Sequence, residues 1–203
     1  METMQDQKFV ELDTSTPIWD HMFTVAPLIV VGTKEQDGYD LAPKHMATPM
    51  GFDNFFGFVC TPRHGTYQNV KVTGEFTVSF PTPHQIVTAS LSALPRTDGI
   101  SKSQQIIESL PLIKATSMDA PLIKDAYLYL ECELFKIIDG FAENSLITGR
   151  VKKAYVHHDY MRLSELDEQD QIRDNPLLAY IAYGRFAEIH KTFAFPFPKD
   201  FKR

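Results

Sequence analysis

The chain has 203 residues, 43% of them apolar, and a formal net charge of −6, which suits one folded domain with a real core and excludes a disordered chain. The negative charge and the lack of a basic run argue against nucleic acid as a main partner. No apolar segment reaches the roughly 20 residues that span a bilayer, and the opening METMQDQKFVELD is polar and acidic, unlike a secretory signal.

Residues 1 to 20 read as an arm that packs on the body through Phe9, Ile18 and Trp19, or that reaches a second copy of the chain. APLIVVGT, from Ala26 to Thr33, is an unbroken apolar run and predicts a strand buried on both faces. Asp37-Gly38 is a turn signal. A second strand is expected from Asp40 to Thr48 and a third from Phe55 to Thr61, where the apolar run is bounded by Pro49 and Pro62. Glu75 to Phe80 alternates, with Phe76, Val78 and Phe80 on one side, and predicts a half-buried strand. Pro83 to Leu94 reads as a helix with Ile86, Val87, Ser90, Leu91 and Leu94 on one face. A second helix is expected over Ser101 to Leu110, with Ser101 and Gln104 spaced as a capping box.

Lys114 to Ala126 reads as a loop crossing the surface. Tyr127 to Ile138 alternates strongly, Asp139-Gly140 begins a connection, and Ser145 to His157 returns as an antiparallel partner. Leu163 to Tyr183 is mixed: a polar helix-like piece, then LLAYIAYG after Pro176. The tail FAFPFPKDFKR cannot be a regular helix and is expected to lie against the body or a partner. The sum is a mainly β protein, mostly antiparallel, with two or three helices. Cys60 and Cys132 are far apart in apolar, strand-like settings, which fits buried free thiols in a reducing cytoplasm better than a single bridge.

Several chemistries lack their motifs. There is no GxGxxG after a strand, no GxxxxGK[ST], no GxSxG, no CxxC and no HExxH. His157 and His158 are adjacent, point to opposite faces if on a strand, and read as surface residues rather than metal ligands. What remains is the loop after the third strand. Arg63, His64, Thr66 and Asn69 place a cation, a hydroxyl and an amide just before helical backbone N–H groups, which suits an anion such as phosphate. The same residues also occur on ordinary surface loops.

The ordered segments PLIVVGTKEQDG, LAPKHMATP, TPRHGTYQNV with GEFTVSFP, GISKS, YLECELFKI and SLITGRVKKAYV, from about Ala26 to Ile189, resemble the flavin reductase-like, FMN-binding split-barrel family, in particular its flavoredoxin-type branch. The resemblance implies a Greek-key-like antiparallel split β-barrel, a single domain, a homodimer, and FMN as cofactor with NAD(P)H as co-substrate. It implies that Arg63, Thr66 and Asn69 match the phosphate-binding loop, with His64 either an added donor or an ordinary loop histidine. Lys44, His45, Met46, Ala47 and Thr48 match the segment lining the isoalloxazine ring and ribityl chain; the family often has an aromatic residue and a serine here, where this chain has Met46 and His45. Thr61 and Cys60 match the strand end beside the flavin, Cys60 reading as a packed thiol rather than a redox partner. Lys102 matches a polar position that can reach the cofactor, or is a solvated lysine at a helix start. Tyr183, Arg185 and His190 either border a nicotinamide opening or, for Tyr183, pack in the core. The implied activity is NAD(P)H-dependent flavin reduction, with an electron carrier reduced by a protein partner, or a non-catalytic binding protein, as the alternatives.

Overall fold

A computed structural model describes residues 8–95, 101–162 and 167–199. Chain order runs β1 (Ala26–Pro27), β2 (Ile29–Glu35), β3 (Gly38–Lys44), β4 (Ala47–Pro49), β5 (Phe55–Cys60), α1 (Gly65–Thr73), β6 (Glu75–Phe80), α2 (Ile86–Leu91) and α3 (Lys102–Gln105). It continues through β7 (Leu112–Lys114), β8 (Pro121–Ile123), β9 (Leu128–Phe141), β10 (Asn144–Val156), α4 (Glu168–Asp174), β11 (Leu177–Ala182) and β12 (Arg185–Ile189). Seven strands in the order β3-β2-β6-β9-β10-β5-β4 form one antiparallel sheet, curled into a half-barrel. A separate three-stranded sheet, β1-β11-β12, and a two-stranded pair, β7-β8, complete the β structure.

The first apolar run does what its pattern requires. Ile29 and Val31 enter the barrel core with Phe56, Phe58, Phe76, Val78, Cys132 and Ile147. Val30 faces the other way, into a second cluster with Leu41, Ala89, Ile107 and Ile123. Successive residues of a strand point to opposite faces, so β2 must be apolar on both to separate the two clusters. Both cysteines are free and buried.

The half-buried reading of Glu75–Phe80 is corrected. Thr77 and Ser79 are as buried as Phe76 and Val78, because β8 covers the outer face of β6. Thr77 Oγ1 donates to the carbonyls of Pro121 and Gly32, and the Ile123 amide donates to Ser79 Oγ at 3.0 Å. The expected surface loop over Lys114–Ala126 is therefore partly core: β7 and β8 pair as a short hairpin, and Ala120, Leu122 and Ile123 are buried. The connection expected at Asp139-Gly140 also moves. β9 continues through Phe141 past a positive φ of 106° at Gly140, and Asp139 Oδ1 accepts from Tyr67 Oη at 3.2 Å and Ser145 Oγ at 2.6 Å.

The two expected helices break into shorter pieces. Pro83–Gln85 is a 3₁₀ turn with a capping box on Thr82, and α2 follows it. Ser101 caps α3, its Oγ accepting from the Gln104 amide at 3.2 Å, but Ile106 at φ −146° ends the helix before the 3₁₀ turn Ile107–Ser109. The polar piece before Pro176 is α4, capped by Asp167; residues 163–166 lie outside the described ones, as do 96–100, which include Gly99 and Ile100 of the GISKS segment. The amino-terminal arm does not pack through its aromatics, since Phe9 and Trp19 are exposed, while Leu12 and Ile18 are partly buried. Phe193, Phe195 and Phe197 of the tail are likewise exposed. No helix among the described residues is long and apolar enough to cross a membrane.

Candidate functional site

β3 and β5 end near one another, and the loop after β5 turns into α1. His64, at the amino cap of this nine-residue helix, has an extended backbone (φ −81°, ψ 146°) and makes no side-chain cap. Helix geometry leaves the first-turn amides of Gly65, Thr66 and Tyr67 without intrahelical acceptors, and the peptide dipoles make this end positive. Gly74, at φ 72°, closes the other end, its amide donating to the Val70 carbonyl.

A cleft of about 580 Å³ opens over this helix start, walled by β3, by residues 92–95 beyond α2, and by Lys102. Its cations are Lys44, Arg63 and Lys102, with the His64 imidazole beside them. Arg63 is mostly exposed and pairs with Glu143 at 3.3 Å, a contact that water screens. The His64 proton affinity is lowered by burial, then by Lys44 and Arg63, with Asp40 opposing. That favours a neutral imidazole near pH 7, with one N–H to donate.

The cleft floor is a buried polar cluster. Asp40 Oδ1 pairs with Lys102 Nζ at 3.1 Å, and its Oδ2 accepts from Thr66 Oγ1 at 3.0 Å. Lys102 also donates to the Leu41 carbonyl. Asp40, Thr66 and Lys102 are all buried.

The structure gathers some of the residues singled out from sequence and separates others. Lys44, Arg63, His64, Thr66 and Lys102 line the cleft, although Lys102 is neither solvated nor free to reach out. Lys44 Nζ lies 3.4 Å from Cys60 Sγ, and Thr61 Oγ1 donates to Asn144 Oδ1 at 3.1 Å. Asn69 does not line the cleft; its amide donates to Thr33 Oγ1 at 3.0 Å and Glu35 Oε1 at 3.4 Å. His45 stacks on Tyr180, Met46 is half-exposed, Ala47 is buried, and the exposed Thr48 donates to the Pro49 carbonyl. Tyr183 is 93% exposed at the turn between β11 and β12, so it is not a core residue. His157 and His158 are exposed, as expected, but at the start of a 3₁₀ turn, which His157 caps, rather than on a strand.

Sequence reasoning missed Asp40, and a signal for it existed. Asp40, Ala42 and Lys44 alternate along β3, and all of them line the cleft.

A curled antiparallel half-barrel with a cationic cleft over a helix start defines a split-barrel protein able to receive an anion. The chain belongs to the flavin reductase like domain family, whose model matches residues 22–181. Among curated proteins no relative matches it. Of solved structures, the 2-nitrobenzoate 2-nitroreductase of Pseudomonas fluorescens has a TM-score of 0.75 at 19% identity, covering 100% of this chain and 98% of that one. An FMN-binding protein from Thermus thermophilus has a TM-score of 0.73 at 18% identity, covering 94% and 100%. The flavoredoxin of Methanosarcina acetivorans has a TM-score of 0.71 at 17% identity, covering 93% and 95%. At these identities the likeness is one of fold.

Proposed function

We propose that the chain is an FMN-binding flavoprotein oxidoreductase that takes electrons from NAD(P)H and passes them to a flavin or another acceptor. The observation that carries this is the cleft itself: Lys44, Arg63 and His64 around the amino end of α1, in a chain of the flavin reductase like family. The donor set fits a phosphate, since backbone amides, a guanidinium and an ammonium converge where helix geometry already favours an anion. Arg63, Lys44, His64 and the first-turn amides would hold the phosphate. His45 to Thr48 and the β5 end at Cys60 and Thr61 would line the ring and ribityl chain. Bound FMN supplies the electron-accepting chemistry; the chain binds it, orients it and leaves one face open to the nicotinamide.

Titration of the purified protein with FMN, followed by visible absorbance and then by anaerobic NADH and NADPH, tests the proposal. A shifted flavin spectrum that bleaches with either nicotinamide is the expected result. A spectral shift without bleaching would replace the reductase with a flavoredoxin-like carrier. The exposed Tyr183 favours that second reading, because it builds no wall for a nicotinamide. No shift at all would leave a binding protein that kept the barrel.

The same reading makes the chain a single flavin reductase-like domain that works as a homodimer in the cytoplasm. Exposed Phe135, Ile138 and Phe141 on β9 are surface that a second copy would cover. Two buried thiols need no oxidising compartment. Light scattering should give twice the chain mass at micromolar concentration; a monomer would refute the dimer.

A further inference from the structure

We infer that Lys102 is a positioning residue for the anionic end of the ligand, acting through Asp40 rather than by contact. The inference rests on the FMN reading of the cleft. Asp40 is a buried carboxylate in the floor of a cleft whose other charged walls are cationic. Left alone, it would repel a phosphate placed at the start of α1, and a poorly hydrated site screens such repulsion weakly. Lys102 Nζ, 3.1 Å from Asp40 Oδ1, cancels that charge locally. The net field on the cleft is then that of Lys44 and Arg63.

The pair also sets geometry. Asp40 Oδ2 takes the Thr66 hydroxyl proton at 3.0 Å. Thr66 is the second residue of α1, so this bond pins the first turn to β3 and fixes where its amides point. The Thr66 hydroxyl is thereby committed to the floor, and the backbone amides are left to face the ligand. Lys102 is held at the floor, its ammonium pairing with Asp40 and donating to the Leu41 carbonyl. It is anchored there from the first turn of α3, which Ser101 caps.

Charge cancellation and simple scaffolding predict different signs, which the full chain can be made to report. Dissociation constants are measured for FMN and for riboflavin, which lacks the phosphate, and expressed as the preference for FMN. Lys102→Met should lower that preference about tenfold or more. Asp40→Asn should raise it, because it leaves the Lys102 cation uncompensated. The double variant should return close to the native preference. Loss of FMN and riboflavin binding in equal proportion in both single variants would overturn the inference, leaving the pair a structural brace. If Lys102→Met does not fold, Asp40→Asn decides alone: an unchanged or lower preference overturns it. A native protein that binds both flavins equally removes the phosphate reading of the cleft, and this inference with it. A native preference that neither variant moves removes this inference only.

Discussion

The imidazole of His45 lies flat on the ring of Tyr180, with centroids 4.1 Å apart and planes 17° from parallel. His45 sits between β3 and β4 of the half-barrel and Tyr180 on β11, so this contact joins the two larger sheets.

The stack has a pH consequence. Burial, and then the neighbouring Lys44, lowers the His45 pKa below its ordinary 6.5, and His64 shifts the same way through burial, Lys44 and Arg63. The folded state thus binds these protons less readily than the unfolded chain. Their contribution to stability is complete above 6.5 and is lost as pH falls below it toward the lower folded values. The urea midpoint should therefore drop as pH falls below about 6.5. His45→Phe, which keeps an aromatic face without a titrating group, should make that drop shallower; an unaltered slope would clear His45 of the effect.

Arg63 should matter to the ligand and not to the fold. Its guanidinium is mostly exposed and pairs with the equally exposed Glu143. Arg63→Ala should weaken FMN binding by about 1–3 kcal/mol, with a thermal midpoint near that of the native protein. Unchanged FMN affinity in a fluorescence titration would remove Arg63 from the phosphate site. Glu143→Gln should leave FMN binding equal or tighter, most visibly at low salt.

Gly32 is required by the close approach of β8. A Cβ there would stand 2.2 Å from the Pro121 carbonyl oxygen and 2.5 Å from Thr77 Oγ1. The first obstacle is backbone and cannot rotate away, so Gly32→Ala should cost about 2–3 kcal/mol by urea unfolding. Gly38→Ala meets Ser103 instead, its Oγ at 2.5 Å and its Cβ at 2.6 Å; rotation moves the Oγ but not the Cβ, so this substitution should also cost about 2–3 kcal/mol. An unchanged urea midpoint in either variant would mean that the facing backbone yields without cost.

Glu131 holds the loop ahead of β8. Its carboxylate is fully buried and accepts from the amides of Thr116 and Ser117, each at 2.8 Å, and from both hydroxyls. Burial alone would raise its pKa, but the Ser117 and Thr116 donors outweigh that and hold it below its ordinary 4.5. The stability it contributes is present above 4.5 and is lost as pH falls through the lower folded value. This acid limb lies below the histidine limb. Glu131→Gln, which offers one acceptor oxygen where the carboxylate has two, should destabilise the fold by about 2–3 kcal/mol at pH 7 and make the acid limb of a midpoint-versus-pH curve shallower.

What could be read from the sequence was what repeats locally. β2 announced its two buried faces by an unbroken apolar run, and β9 with β10 announced a hairpin by alternation. The cationic loop before α1 was visible because its residues are neighbours in the chain. Three further features have no local signature. β8 is three residues opening on a proline, too short for any period, and its role comes from lying on β6. Asn69 lies just past that loop, in α1, but Thr33 and Glu35 on β2 take its amide. Lys102 looks like any helix-start lysine until Asp40 and the Leu41 carbonyl, 61 residues away, are brought beneath it.

That separation bears on how the protein fares in a cell. The cleft floor is stitched from Asp40, Thr66 and Lys102, so a partly unfolded chain has no floor and no cleft. A molecule held there binds only the folded form, and at a hundredfold excess over Kd it adds about 2.7 kcal/mol to stability. Degradation draws on the unfolded fraction, so the abundance of this chain should rise and fall with the supply of whatever fills its cleft.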